Sequence, residues 1–84
     1  MSRFGLPVKP AFSGYTVAVG YERIIDSFFT YVFSPEGYPI VAADGLDTPI
    51  TDPAEILDTV KDYVVITGDL CDRLAALKAQ AADY

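Results

Sequence analysis

The hydrophobic pattern of this chain changes period once, at Asp52-Pro53, and that change limits the possible folds more than any other feature. Ahead of it, Tyr15, Val17, Val19 and Tyr21 alternate with Thr16, Ala18 and Gly20, the period of two that a half-buried strand requires. Residues 28–33 repeat the alternation, with Phe29, Tyr31 and Phe33 on one face and Phe28, Thr30 and Val32 on the other. Ser34-Pro35-Glu36-Gly37 is a tight-turn sequence, because proline presets φ at its second position and glycine accepts the conformation that other residues resist. A third strand is predicted over residues 38–43, ending at Asp44-Gly45.

Beyond the change, Asp52, Pro53 and Glu55 occupy the N-cap, N1 and N3 positions of a capping box. Ile56, Leu57, Val60, Tyr63 and Val64 recur at helical spacing and predict a helix over about residues 53–63. The β-branched run Val64-Val65-Ile66 ends that helix or forms an extended link, and Thr67-Gly68-Asp69 restarts the chain. A second helix follows with the stripe Leu70, Leu74, Leu77 and Ala81, and Cys71 beside the stripe is expected to be a buried structural thiol.

The 84 residues make one α+β domain. Its expected parts are an extended arm (residues 1–13, fixed by Pro7 and Pro10), a three-stranded antiparallel β-meander (14–43) and a two-helix layer (52–84), in the order βββαα. Two amphipathic helices cover one sheet face and leave the other bare. That bare face carries either Phe28 and Val32 or Phe29, Tyr31 and Phe33, so a partner, a second copy or the arm is expected across it.

The net charge of −6 is concentrated in one third of the chain. Through residue 43, Arg3, Lys9 and Arg23 cancel Glu22, Asp26 and Glu36. From 44 to 72, Asp44, Asp47, Asp52, Glu55, Asp58, Asp62, Asp69 and Asp72 face Lys61 alone. On the first helix Glu55, Asp58 and Asp62 fall opposite the apolar arc. Asp52 and Glu55 suit the helix N-terminus, whereas Asp58 and Asp62 lie where aspartate is a mediocre helix former. Such a face is ordinarily a solvated one that confers solubility. Its functional reading is a carboxylate surface that competes with nucleic acid for a basic groove.

Several chemistries are disfavoured. Direct nucleic-acid binding needs clustered Lys and Arg, which the acidic balance denies. The absence of histidine leaves Ser13, Ser27 and Ser34 without an activating base, so no enzymatic activity is expected. Asp44, Asp47 and Asp52 lie within nine residues but lack the donor pattern of a calcium loop, so no metal and no cofactor is expected. Apolar runs are too short to cross a membrane, and one cysteine fits a reducing compartment, so the chain reads as soluble and cytoplasmic.

The stretch from Tyr15 to Tyr38, with Val19-Gly20-Tyr21-Glu22-Arg23 followed by Asp26-Ser27-Phe28-Phe29, resembles small bacterial proteins that open on a β-hairpin. As a short, acidic, histidine-free domain the chain also resembles in type the phage- and plasmid-encoded inhibitors of host defence, the anti-CRISPR and anti-restriction proteins. That resemblance carries over no residues. It implies a non-enzymatic protein that binds a larger protein with a basic surface, such as a nucleic-acid-binding complex, as a nucleic-acid mimic. Asp44, Asp47, Glu55, Asp58 and Asp62 are the expected contact acids and Phe28 the expected apolar anchor. The alternative is a structural or regulatory homodimer joined through the aromatic sheet, with acidity serving solubility alone.

Overall fold

Alternating residues on β2 (Thr16–Glu22) and β3 (Ser27–Phe33) place Val17, Val19 and Tyr21 opposite Val32, Thr30 and Phe28 in an antiparallel pair. This row is the floor of the core. In the computed structural model, which describes residues 2–81, β1 (Ser2–Leu6) joins the outer edge of β2 and β4 (Pro39–Ala43) that of β3. The result is one antiparallel sheet of order β1-β2-β3-β4. Two helices follow, α1 (Pro53–Val60) and α2 (Leu70–Ala81). The fold is thus α+β, with an antiparallel meander as expected, but it has four strands rather than three.

The additional strand comes from the expected arm. Phe4 and Leu6 turn inward opposite Val19 and Val17, and Arg3 and Gly5 face outward. The segment therefore extends the sheet edgewise and does not lie across the uncovered face. Beyond it, Pro10–Phe12 forms a 3-10 turn, and the Phe12 ring packs 4.7 Å from Tyr63 and 5.3 Å from Tyr15. Lys9 donates its N–H to the Tyr63 carbonyl at 2.8 Å, and Val8 pairs with Val64 as an isolated bridge. These contacts explain why α1 stops at Val60 rather than near Tyr63. The chain from Val64 onward is held as extended backbone against the N-terminal segment.

Helix α1 packs on β3 and β4 and helix α2 on β2, all on one side of the sheet. Ile56, Leu57 and Val60 of α1 and Leu70 and Leu74 of α2 are buried against Leu6, Val17, Val19, Tyr21, Phe28 and Val32. Leu77 and Ala81 pack at its margin. Asp52 caps α1 by accepting the Ala54 N–H at 2.9 Å. Arg73 of α2 lies 4.1 Å over the Phe4 ring, tying the second helix to the edge strand. Thr30 is the polar member of this floor, and its hydroxyl is satisfied by donating to the Ala18 carbonyl at 2.9 Å.

Two glycines are required by close approach. A Cβ on Gly20 would collide with Ser2 and Arg3 of β1 and with the Phe29 ring. Gly45 has φ +73° and brings the β4–α1 loop directly onto Ser27. The Ser27 hydroxyl accepts the Ile50 N–H and donates to the Phe28 carbonyl, both at 2.8 Å, and the Phe28 N–H reaches the Ile50 carbonyl at 2.9 Å. The loop is thereby fastened to the start of β3. At the β3–β4 turn Gly37 (φ +89°) donates to the Ser34 carbonyl, as the turn sequence predicts.

The Tyr21 ring is buried, and its hydroxyl donates to the Asp26 carboxylate in the β2–β3 turn. Asp26 adopts φ 48°, a left-handed conformation that aspartate tolerates. Its carboxylate also lies 3.7 Å from the Lys78 ammonium of α2. That hydrogen bond, together with burial and the negative charge of Asp26, pushes the Tyr21 phenol up to about 12 from 10.0. The native state therefore holds this proton more tightly than the unfolded chain does. The contribution is complete below pH 10 and disappears as the pH rises towards 12.

Urea denaturation across that window is expected to show Tyr21→Phe losing less stability with rising pH than the parent chain. At neutral pH, Ser27→Ala should cost about 1–3 kcal/mol because it orphans the Ile50 N–H. Gly20→Ala should cost about 1–3 kcal/mol by overpacking between β1 and Phe29.

Candidate functional site

The outer side of α1 is built from what its inner side excludes. With Ile56, Leu57 and Val60 committed to the core, Glu55 and Asp58 are exposed on the helix, and Asp62 is exposed in the turn just after it. Asp58 Oδ1 lies 2.9 Å from Lys61 Nζ, one helical turn on. The hydrogen bond and charge of Asp58 hold the Lys61 ammonium above its ordinary range. Both groups are largely exposed, so the pair contributes little to stability. Among the described residues, Glu55 and Asp62 form no ion pair.

Helix physics accounts for several acids of this segment. Asp52 is the α1 cap, Glu55 and Asp72 sit in first turns, and Asp69 directly precedes α2. The hydrogen bond from the Thr67 hydroxyl holds the Asp69 carboxyl below its usual range. Asp58 and Asp62 remain as the acids of the helical flank that neither a cap nor a first turn requires.

The expected contact acids form two groups. Glu55, Asp58 and Asp62 share the helical side of the molecule. Asp44, half-buried, accepts the Leu46 N–H at 3.1 Å in a local turn. It lines a shallow hollow of about 180 Å³ with Glu22, Ile25, Phe29, Tyr31 and Leu46 on the opposite sheet face. Asp47 is exposed in the loop between the two sides. No group of three or more acids, cysteines or histidines with metal-holding geometry occurs among the described residues.

Phe28 does not lie on either surface. It is 1 % exposed and packs 5.3 Å from Tyr21 in the core, because the face it shares with Val32 is the one that the helices cover. An apolar anchor point exists elsewhere. Between the helices, Ala54, Leu57, Ile66 and Cys71 line a shallow hollow of about 260 Å³ whose rim carries Asp58 and Lys61. Ile66 and Val65 beside it are exposed. The extended link that follows α1 places Ile66 here.

Cys71, expected to be buried, is exposed. It follows Leu70 by about 100° around α2, enough to leave the core and enter the hollow. Comparison with known protein families, curated proteins and solved structures gives no match. Among the described residues, no helix is long and apolar enough to cross a membrane.

The exposed thiol is open to direct measurement. Native protein should react stoichiometrically with an aromatic disulfide reagent at Cys71 without denaturant, and should do so at neutral pH. A thiol that reacts only after unfolding would contradict its placement in the inter-helix hollow.

Proposed function

We propose that this chain is a non-enzymatic protein that acts by stoichiometric binding, an acidic antagonist of a nucleic-acid-handling bacterial complex whose basic surface it occupies. The observation that carries this reading is the juxtaposition on the helical side. Asp58 borders an apolar hollow lined by Leu57, Ile66 and Cys71, and exposed Glu55 and Asp62 stand on the other side of Asp58 from it. Charges at a rim steer and orient a partner, and a small desolvated centre supplies most of the affinity. The arrangement suits a partner that sets Lys or Arg over the carboxylates and one apolar side chain into the hollow.

In this reading Asp58 and Asp62 act as charge, Asp58 being shared with the exposed Lys61 ammonium. Ile66 supplies the apolar contact that Phe28, held in the core, does not offer. Asp44 and Asp47 lie apart from this patch and are not needed for it.

Affinity capture from a bacterial lysate, with the parent chain and an Asp58→Lys, Asp62→Lys variant side by side, tests the proposal. A protein retained by the parent at low salt should be released as salt rises, and the variant should bind it about tenfold or more weakly. Ile66→Glu should weaken the same capture at any salt. Circular dichroism and thermal melting should find all three chains equally folded, since the substituted side chains are exposed. Equal retention by parent and reversed variant at physiological salt would reduce the acidic side to a solvated surface.

A further inference from the structure

The more aromatic face of β3 is the one the helices leave bare. Phe29, Tyr31 and Phe33 run along it, with ring centroids 5.6 and 6.2 Å apart. Phe29 is seated over Gly20 of its own sheet and is buried, whereas Tyr31 and Phe33 remain half-exposed. Beside Tyr31 and Phe33, β1 and β2 contribute Gly5, Ala18 and Thr16 to the same face, with Arg3, Gly20 and Glu22 towards the Phe29 end, so large rings on one half adjoin small residues on the other. Charge divides the same way. Arg3 stands outward on β1 in the row of Gly20 and Phe29, and Asp44 follows the end of β4 at the far side of that row.

The geometry points to a second copy of this chain as the occupant of the bare face, packed sheet to sheet about a two-fold axis parallel to the strands and between β2 and β3. That operation lays β3 of one copy over β2 of the other and keeps each row in place. Tyr31 then covers the partner copy's Ala18 position, Phe33 covers Thr16, and Arg3 meets Asp44 at both ends of the interface. The alternative two-fold, perpendicular to the strands, would stack rings on rings and leave Arg3 facing no acid. The sheet edges are poorer candidates. β4 carries Pro39 and an irregular register at Ile40, and β1 is five residues long and followed by Pro7.

The area is of the right order for a weak association. Four strands about 4.8 Å apart and about 20 Å long present roughly 400 Å² of footprint per copy. Ring relief and the overhanging, exposed Leu46 add to that footprint. Two such footprints total roughly 800 Å², below the roughly 1,200–2,000 Å² that stable complexes bury, which is the size of a weak, concentration-dependent contact. Both acidic helical sides point away from such an interface, so the dimer would be bivalent toward a partner. The dimer itself does not depend on the antagonist reading.

Sedimentation equilibrium of the purified chain at moderate salt tests this directly. The weight-average mass should rise from 9.1 kDa towards twice that value with increasing concentration. Tyr31→Lys should hold the mass at one chain while circular dichroism and melting remain native-like. Arg3→Glu should weaken association about tenfold or more, and adding Asp44→Arg should restore it, because the swap rebuilds both end contacts with reversed sign. A chain that is monomeric at every concentration overturns the proposal. So does a dimer that survives Tyr31→Lys, or a loss in Arg3→Glu that Asp44→Arg does not repair. None of these outcomes bears on capture by Asp58 and Asp62, so failure here is separable from failure of the antagonist reading.

Discussion

Two short helices can roof only one face of a four-stranded sheet, and the rest of the molecule is arranged around that limit. The eight residues of α1 and twelve of α2 bring Ile56, Val60, Leu70 and Leu74 down onto Val17, Val19, Phe28 and Val32. Burying that set is the main favourable term available to so short a chain. Every other surface property follows from which side was roofed. Phe28 disappears, Phe29, Tyr31 and Phe33 are left opposite, and the carboxylates of α1 are turned outward.

The molecule thus has two unlike sides. One is acidic and helical, with a small apolar hollow where the extended link passes between the helices. The other is aromatic and nearly flat, with Arg3 and Asp44 at opposite margins. The loop after β4 joins them, and its attachment to Ser27 fixes how Asp44 and Leu46 overhang the rings.

Much of the architecture was legible in residue order because alternation and helical spacing are strong local signals. The Ser34-Pro35-Glu36-Gly37 turn, the Asp52 cap and the stripe Leu70, Leu74, Leu77 all lie where those signals put them. β1 was not legible. Its inward signal is two residues, Phe4 and Leu6, preceded by Arg3, separated by Gly5 and closed by Pro7, and its pairing is made by backbone groups. The choice of face was not legible either. Alternation separates Phe28 from Phe29 but does not say which one meets the helices, and the face with a threonine in it proved to be the covered one. The step of about 100° from Leu70 turns Cys71 out of the core, but that Cys71 and Ile66 line one hollow is a property of tertiary packing rather than of any window of residues.

The bridge between Val8 and Val64, with the Lys9–Tyr63 hydrogen bond beside it, ties together positions more than fifty residues apart. Closing so long a segment costs entropy that local turns do not, and such contacts form after the hairpins that shorten the path. During synthesis the first strand leaves the ribosome early yet cannot be latched until residue 64 has followed it out. The N-terminal edge pairs early with β2, but the latch at its far end closes only when residue 64, about three quarters of the way along the chain, has arrived.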